Sequence, residues 1–571
     1  MKKSAFQLCL FSLILLTVSK SLIAQKEINE RTLRMGMHNE VPADAYHPSQ
    51  EGNQLSSPAY TRETSLFFTT QVNIDADGNN ILNDAANEPS IAIDPLNPDR
   101  MAIGWRQFDN VNNNFRQAGY AYTSDGGQVW NFPGVIDPGV FRSDPVLEAD
   151  NQGVFYYNSL TSSGGNYFCR VYRSNDGGAQ WDEGIPAQGG DKQWMEIDKS
   201  GGAGEGNIYS FWTSYYSICY PGNFTRSTNG GSYYEDCVSV NGDPYWGTLA
   251  IGPESELYIV GAGFNDGLVV AKSSTAWNPD ALVEWDYFTE VFLNGIMIAG
   301  PAVNPVGLLG QASIAVNHAP GPGYGNVYVL ASVEGLNNGD PGDVMFAKSE
   351  DGGLSFGTPV RINDDLSVSN TQWFGTMSVA PNGRIDVVWL DTRDAPAFAP
   401  LYSSLYYSYS LDRGETWSDN ELLSESFDPH LGWPNQEKMG DYFDMVSDNG
   451  NAHLAWANTM NGEQDVYYGR ITPVITGSSQ MESDNPLETM NISPNPFNEN
   501  SRISFRLSKP CVSRVVLCDI SGREIRTLDH SFRNAGSHSI LVAGPALENG
   551  IYFCRITAGG VSKTLKFVRV E

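Results

Sequence analysis

The segment TSDGGQVW occupies residues 123–130, and four similar octapeptides follow it along the chain. Each begins with Ser or Thr, has Asp or Asn at the third position and Gly at the fifth, and ends on an aromatic residue. A short side chain at the third position can bond the backbone of its own turn, and Gly tolerates positive φ. Each copy therefore predicts a hairpin turn. The other copies are SNDGGAQW at 174–181, STNGGSYY at 227–234, SEDGGLSF at 349–356 and SLDRGETW at 410–417.

The spacing of these turns predicts an all-β fold. Upstream of each turn the same order returns: an apolar strand, a turn, a strand that ends on an aromatic residue, a loop, and a strand that runs into the octapeptide. Repeated four-stranded units of this kind are typical of β-propeller blades. Residues 63–472 accommodate seven blades, and six blades are the alternative. The last blade lacks an octapeptide, so we expect residues 65–74 to close the ring by pairing with its final strand.

The five octapeptides resemble the Asp box of sialidase-like β-propellers, which are also described by BNR repeats. The resemblance implies that the third residue of each copy is structural and lies far from the active face. These residues are Asp125, Asp176, Asn229, Asp351 and Asp412.

The N-terminal residues carry the pattern of an export signal. Lys2 and Lys3 precede an apolar run at residues 5–16, followed by small residues up to residue 25. We therefore expect residues 1–25 to be a signal peptide, and no later run predicts a membrane span. Residues 26–62 are polar and are interpreted as an arm or linker. Residues 473–489, rich in Gly, Ser, Glu and Pro, are interpreted as a second linker.

The last eighty residues differ in composition and consist of short strand and turn blocks, which predict a small β-sandwich. The blocks include NPF at 495–497, NGIY at 549–552 and a basic final strand that ends at Arg569. Residues 490–571 resemble the C-terminal sorting domain of type IX secretion cargo. The resemblance implies that the type IX machinery is a partner. It also implies that the protein is secreted or held on the outer cell surface of a Gram-negative bacterium.

The formal net charge of −31 limits the classes of partner. An acidic body repels nucleic acid and anionic lipid headgroups, so we expect no nucleic-acid partner. The charge keeps an exported protein soluble but does not identify a ligand.

Candidate functional residues come from the ends of predicted strands on the face opposite the octapeptides. Acids, arginines and aromatic residues are predicted to converge there, and Arg106 and Arg393 are predicted to share one repeat position. Such a mixture suits a sugar, because aromatic faces stack on C–H surfaces, carboxylates bind hydroxyls or transfer protons, and arginine holds anions. The acids could instead cap loop amides and the tryptophans could fill the core. The predicted catalytic residues are Asp391, Asp441, Tyr442 and Asp191, and the predicted substrate-binding residues are Arg106, Arg393, Trp194 and Trp373.

Two functions fit this face. The resemblance to sialidases implies a glycoside hydrolase acting on extracellular glycans, yet the Phe-Arg-Ile-Pro motif that supplies the first sialidase arginine is absent. A non-catalytic glycan-binding, protein-binding or adhesion propeller at the cell surface is the alternative, since a fold does not dictate an activity.

Cys219 and Cys237 lie symmetrically about the third octapeptide, so an antiparallel hairpin would place them opposite each other. We predict a disulfide between them. The remaining cysteines lack the spacing of a zinc site, and no metal site or cofactor is predicted from them.

The segment DADGN at residues 75–79 resembles the start of a calcium loop. Asp75, Asp77 and Asn79 would be the ligands, but the twelfth position is Ala86 rather than Glu. The segment is therefore interpreted either as a calcium site or as an ordinary turn.

Overall fold

The computed structural model describes residues 43–47, 55–336, 339–474, 487–496, 501–508, 510–519, 523–541, 549–558 and 561–569. These residues form β-strands and loops without an α-helix, which confirms the all-β prediction. None of them belongs to a helix that could cross a membrane. The chain divides into two compact units, Met1–His318 with Gly325–Pro473, and Ala319–Tyr324 with Val474–Glu571. The predicted signal peptide and most of the 473–489 linker lie outside the described residues.

Four short strands open the first unit, and four antiparallel sheets, each built from consecutive strands, follow them. The opening strands are β1 (Ser56–Pro58), β2 (Thr61–Glu63), β3 (Phe67–Gln71) and β4 (Asn79–Ile81), of which β1 pairs with β4. Sheet 1 contains β5 (Ala85–Ile93), β6 (Met101–Phe108), β7 (Gln117–Thr123) and β8 (Asn131–Ile136); sheet 2 contains β9 (Ser143–Ala149), β10 (Phe155–Ser163), β11 (Asn166–Ser174) and β12 (Ile185–Pro186); sheet 3 contains β13 (Trp194–Ile197), β14 (Ile208–Phe211) and β15 (Phe224–Ser227); sheet 4 contains β16 (Leu249–Ile251), β17 (Leu257–Ala262), β18 (Leu268–Ser273) and β19 (Tyr287–Val291).

Three more antiparallel sheets complete the first unit. Sheet 5 contains β20 (Gly295–Ile296), β21 (Ser313–Val316), β22 (Val327–Gly335), β23 (Asp343–Ser349) and β24 (Val360–Arg361); sheet 6 contains β25 (Gln372–Val379), β26 (Ile385–Asp391), β27 (Ser404–Ser410) and β28 (Glu421–Leu422); sheet 7 contains β2, β3, β29 (Asp444–Ser447), β30 (Ala452–Asn458) and β31 (Asp465–Ile471). The strands β5, β9, β13, β16, β21, β25 and β29 contact one another in this order, and β29 contacts β5. These seven innermost strands therefore form a closed cycle.

The second strands of four sheets are buried along their whole length because both of their faces are covered. Every residue of β6, β17, β26 and β30 is buried. A strand that packs against a neighbouring sheet on each side exposes neither face to solvent, so its sequence need not alternate between apolar and polar residues. Trp105, Trp389 and Trp456 near the ends of these strands are fully buried, as the core interpretation of these residues predicts.

Side chains satisfy the backbone edges of the innermost strands. The Leu147 amide donates to Ser90 Oγ of the preceding sheet at 2.9 Å, and the Ile314 amide donates to Thr248 Oγ1 at 3.0 Å. An unpaired amide buried between sheets would cost stability, so these hydroxyls replace the missing strand partner.

The N-terminal strand β3 completes the last sheet. It pairs antiparallel with β31, with Phe67 opposite Ile471, and the Val72 amide donates to the Val466 carbonyl at 2.9 Å. The predicted pairing of residues 65–74 with the final strand is confirmed. Since the partners come from opposite ends of the unit, this pairing ties the ends of the sheet cycle together.

The octapeptide turns share one set of hydrogen bonds. In the last copy, Asp412 Oδ1 accepts from Ser410 Oγ and from the Thr416 amide, both at 2.9 Å. Gly414 has a φ of +81°, and a Cβ there would lie 2.5 Å from the Phe346 ring. The third copy keeps the pattern with Asn229, whose Oδ1 accepts from the Tyr233 amide at 3.0 Å. An amide oxygen thus replaces the carboxylate without loss of the turn.

The second unit contains two antiparallel sheets around a shared apolar cluster. Alternate residues of its second strand, Ile503, Phe505 and Leu507, are buried in that cluster. Its strands are β32 (Leu487–Ser493), β33 (Arg502–Leu507), β34 (Cys511–Cys518), β35 (Glu524–Arg533), β36 (Gly536–Leu541), β37 (Gly550–Ala558) and β38 (Val561–Arg569), in the sheet orders β32-β33-β36 and β35-β34-β37-β38.

Candidate functional site

Charged residues with unusual backbone geometry lie at the start of three innermost strands. Glu88, Asp144 and Lys192 have φ values of 50°, 46° and 56°, and each is fully buried. A non-glycine residue at positive φ is uncommon and costs free energy. Equivalent positions in sheets 4 and 6 are occupied by Trp246 and Phe374, at φ values of 55° and 56°. The cycle of innermost strands is therefore charged on one side and aromatic on the other.

A continuous series of buried ion pairs connects the charged side of this cycle. Arg106 Nε lies 3.1 Å from Glu88 Oε2, and Lys438 Nζ lies 3.5 Å from Glu88 Oε1. Asp441 Oδ2 lies 2.7 Å from Lys438 Nζ and 2.8 Å from Lys192 Nζ. We call Arg106, Glu88, Lys438, Asp441 and Lys192 the axial ion network. It combines two residues with a predicted site role, Arg106 and Asp441, with Glu88, Lys192 and Lys438, to which the sequence assigned no specific role.

Two further carboxylates join this network through Lys192. Its Nζ lies 3.4 Å from Asp191 Oδ1 and 3.8 Å from Asp144 Oδ2. Burial raises the pKa of Glu88 to about 8, despite the opposing effect of Arg106 and Lys438. Glu88 therefore takes up a proton at a higher pH than an exposed glutamate does.

Tyr442 and Trp194 are packed side by side rather than displayed on a surface. Tyr442 donates its hydroxyl hydrogen bond to the Pro145 carbonyl at 2.8 Å, and its ring centroid lies 5.2 Å from that of Trp194. Burial raises the pKa of Tyr442 well above its usual range. Each residue is more than nine-tenths buried, which does not favour the predicted catalytic role of Tyr442 or the predicted substrate-binding role of Trp194; both roles stay predictions.

Asp391 and Arg393 form a separate cluster in sheet 6. Arg393 lies 2.9 Å from Asp391 Oδ2 and 2.6 Å from Asp364 Oδ1, and its guanidinium covers the Tyr406 ring at 4.4 Å. Burial raises the pKa of Asp391, opposed by Arg393. Two carboxylates already occupy the guanidinium, so the arrangement does not favour Arg393 as a free anion binder.

The predicted equivalence of Arg106 and Arg393 is wrong. In both strands the tryptophan Nε1 donates to the side chain two residues later: Trp105 to Gln107 in β6, and Trp389 to Asp391 in β26. This shared bond shows that Trp105 and Trp389 occupy equivalent positions. Arg106 therefore corresponds to Leu390, and Arg393 lies beyond the end of its strand. The prediction therefore equated Arg106, a residue within a strand, with Arg393, a residue of the loop after a strand.

Trp373 is also corrected as a sugar-stacking residue. It is fully buried, its Nε1 donates to Ser403 Oγ at 3.1 Å, and its ring packs against Phe374 at a centroid distance of 4.5 Å. A tryptophan in this position stabilises the contact between sheets instead of presenting a face to a ligand.

Three tyrosine rings are exposed on the loop that follows β14. Tyr215, Tyr216 and Tyr220 are 39%, 42% and 57% exposed. The Tyr215 ring lies 4.5 Å from that of Tyr216 and 6.3 Å from that of Tyr220, nearly perpendicular to each. We call residues 213–222 the tyrosine loop. The sequence signal for this loop is the run YYSICY at residues 215–220.

The tyrosine loop is held in place by covalent and backbone links. A disulfide joins Cys219 to Cys237 across Cα atoms 5.9 Å apart. The Tyr216 carbonyl accepts from the Tyr167 amide at 2.8 Å, and the Thr213 amide donates to the Asp191 carbonyl at 2.9 Å. The last bond connects the loop to the axial ion network. Exposed aromatic rings on such a constrained loop need little ordering before they bind a ligand.

The segment at residues 75–79 forms a turn. Asp75 Oδ1 accepts from the amides of Asp77 and Asn79 at 2.9 and 2.8 Å. Among the residues that the structure describes, no group of three His, Cys, Asp or Glu side chains is arranged to hold a metal ion. Calcium at Asp75, Asp77 and Asn79 stays a prediction.

Residues 491–571 match the secretion system C-terminal sorting domain, which indicates export by the type IX pathway. A search of curated proteins finds no match. Among solved structures, the chain is similar to a protein of unknown function from Dyadobacter fermentans (11% identity, 71% of this chain and 97% of that one, TM-score 0.41). It is also similar to the phage phi92 endosialidase (10%, 74% and 72%, TM-score 0.39) and to an α-L-arabinanase from Penicillium chrysogenum (12%, 72% and 98%, TM-score 0.36).

Proposed function

We propose that the chain is an exported seven-bladed β-propeller that binds glycans outside the cell. In this proposal residues 1–25 direct export, residues 26–62 form an arm and residues 63–472 form the propeller. Residues 473–489 form a linker, and residues 490–571 form a β-sandwich that the type IX machinery recognises. The closed cycle of seven innermost strands supports seven blades rather than six.

The observation that carries the binding role is the tyrosine loop. Its three aromatic residues are partly exposed, and each combines an apolar ring with a polar hydroxyl, which suits a pyranose that presents C–H groups on one face and hydroxyls at its rim. Aromatic residues of this size are uncommon on a free surface without a binding role when they cluster in this way.

The axial ion network favours binding over hydrolysis. Asp441 is fully buried and bonded to two lysines, while Asp391 is bonded to Arg393. The Tyr442 hydroxyl is bonded to a carbonyl. A hydrolase needs such groups free to reach the substrate, whereas these contacts fit a structural role.

Hydrolysis is a second candidate because of Glu88. Burial raises the pKa of Glu88 to about 8, which is the property that glycosidases use in a general acid, although Glu88 is buried as fully as Asp441. This candidate requires that Glu88→Gln abolish turnover while leaving glycan binding intact.

The experiment is a glycan array with the secreted full-length protein, paired with an assay of product release from a reporter sialoside and from each glycan that binds. Wild type is compared with the Tyr215→Ala/Tyr220→Ala double variant. Tyr233→Ala is the control, because Tyr233 is 58% exposed but lies in the third octapeptide turn. The proposal is supported if the wild type and Tyr233→Ala bind a glycan without releasing product and the double variant no longer binds it. Product release that is lost in Glu88→Gln would support hydrolysis instead.

Export is tested by itself. Deleting residues 490–571 should prevent appearance of the chain in the medium or on the cell surface, measured by fractionation and immunoblotting. Normal export of the truncated chain would contradict the role given to this segment.

A further inference from the structure

A cavity of about 430 Å³ lies against the innermost strands of six sheets. It is lined by residues of β9, β13, β16, β21, β25 and β29, together with residues from the turns that follow some of these strands. Lys199 and Pro381, both in such turns, are exposed. The cavity therefore reaches the surface at the turns between the first and second strands of the sheets, and its volume is that of a small-molecule site.

The wall of this cavity contains more acids than bases. Glu148, Glu196 and Asp444 line it, and Lys199 Nζ lies 2.5 Å from Glu148 Oε2 and 3.9 Å from Glu196 Oε1. His318 also lines the cavity, with its Nε2 2.8 Å from the Ile251 carbonyl oxygen. When the three carboxyls are ionised and Lys199 is protonated, the wall carries an excess of two negative charges. Such a wall attracts a cation.

Gln311 supplies an independent indication of a ligand. It is 5% exposed, it lines the cavity, and neither its Nε2 nor its Oε1 bonds to any group that the structure describes. A buried amide without partners costs free energy, so its donor and acceptor are positioned for an occupant of the cavity. The aromatic rings of Trp194 and Tyr442 form another part of the wall.

We propose that this cavity binds a small aliphatic diamine, with its ammonium groups on Glu196 and Asp444 and a hydrogen bond to Gln311. The excess of two carboxyls matches two ammonium groups, and the apolar strand residues match the carbon chain. A metal ion fits less well, because no three acidic or histidine side chains among the described residues are arranged to hold one. This site is independent of the glycan-binding proposal.

Proton release should accompany binding. Burial, together with Glu148, raises the pKa of Glu196, and burial raises the pKa of Asp444 to about 6. An ammonium group beside a carboxyl favours its ionised form, so the diamine competes with protons. Against the effect of burial, Glu148 and Glu196 raise the pKa of Lys199, so Lys199 stays charged in this range. His318 also lines the cavity. Affinity should therefore increase between pH 5.5 and 7.5.

The test is isothermal titration calorimetry of the full-length protein with putrescine, with 1,4-butanediol as its neutral counterpart, and with calcium chloride. We expect putrescine to bind about tenfold or more tightly than the diol, with about tenfold loss in Glu196→Gln. Gln311→Met should also weaken binding, and Glu421→Gln, at an exposed position, should not. Thermal unfolding of each variant verifies that it is folded.

Three outcomes would overturn the proposal. No measurable binding of putrescine by the wild type would mean that the cavity contains water alone. Equal affinity for putrescine and the diol would exclude recognition of charge. Calcium binding that displaces putrescine and depends on Glu196 would identify a metal site.

Discussion

Asp441 provides the sharpest test of whether the axial ion network is structural. It is fully buried, with Oδ2 at 2.7 and 2.8 Å from the ammonium groups of Lys438 and Lys192. Its Oδ1 accepts from the Leu308 amide at 2.9 Å. Asp441→Asn keeps an oxygen for Leu308 but presents an amide with no charge to two buried lysines. Removing one member of a buried ion pair costs about 3–5 kcal/mol, because the remaining charge is uncompensated.

Urea unfolding monitored by tryptophan fluorescence at pH 7 measures this cost. The control is Asp280→Asn, a change at an exposed aspartate that should alter the free energy of unfolding by less than about 0.5 kcal/mol. We expect Asp441→Asn to lower the free energy of unfolding by the larger amount while the slope with urea stays unchanged. A loss below about 1 kcal/mol would refute the reasoning, because the two lysines would then not depend on Asp441.

Three further predictions concern pH, the disulfide and the turns. Because burial raises the pKa of Glu88 from 4.5 to about 8, the folded chain binds more protons than the unfolded chain between these values. The free energy of unfolding should therefore fall as pH rises through this window, and Glu88→Gln should flatten that dependence in urea unfolding at pH 5, 7 and 8.5; an unchanged dependence would contradict the assignment. Cys219→Ser should lower the free energy of unfolding by roughly 3 kcal/mol in the chain-entropy model and weaken glycan binding, and equal stability of the reduced and oxidised wild type would argue against this. Asp412→Ala removes the acceptor of the Thr416 amide and should cost about 1 kcal/mol in thermal unfolding without affecting glycan binding, whereas impaired binding would make this turn more than structural.

The turns and the strand order could be predicted from the sequence because their determinants are local. Each octapeptide contains the acceptor, the glycine and the aromatic residue that its own hairpin needs, and Asn229 performs the same function as the aspartates. The pairing of β3 with β31 was also predictable, since a sheet without its outer strand needs a partner.

The candidate site was less predictable because it depends on contacts between distant segments. Glu88 and Lys438 are 350 residues apart in the chain, and their ion pair has no sequence signature. Arg106 and Arg393 both lie near the end of a second strand, and only the hydrogen-bond register shows that Arg106 belongs to its strand and Arg393 to the following loop. Burial of Trp373 and Tyr442 likewise follows from packing between sheets.

The cavity was missed for a related reason. Its acids lie on three different strands, Glu148 on β9, Glu196 on β13 and Asp444 on β29, and only the closed cycle of innermost strands brings them to one cavity.

The central claim, glycan binding by the tyrosine loop, is tested most directly by the affinity of the secreted full-length protein for the strongest ligand of the glycan array. Each exposed ring contributes about 1 kcal/mol of stacking, so the Tyr215→Ala/Tyr220→Ala variant should bind about 30-fold more weakly in calorimetry, with Tyr233→Ala equal to wild type. Equal affinity of the double variant and the wild type would contradict the account.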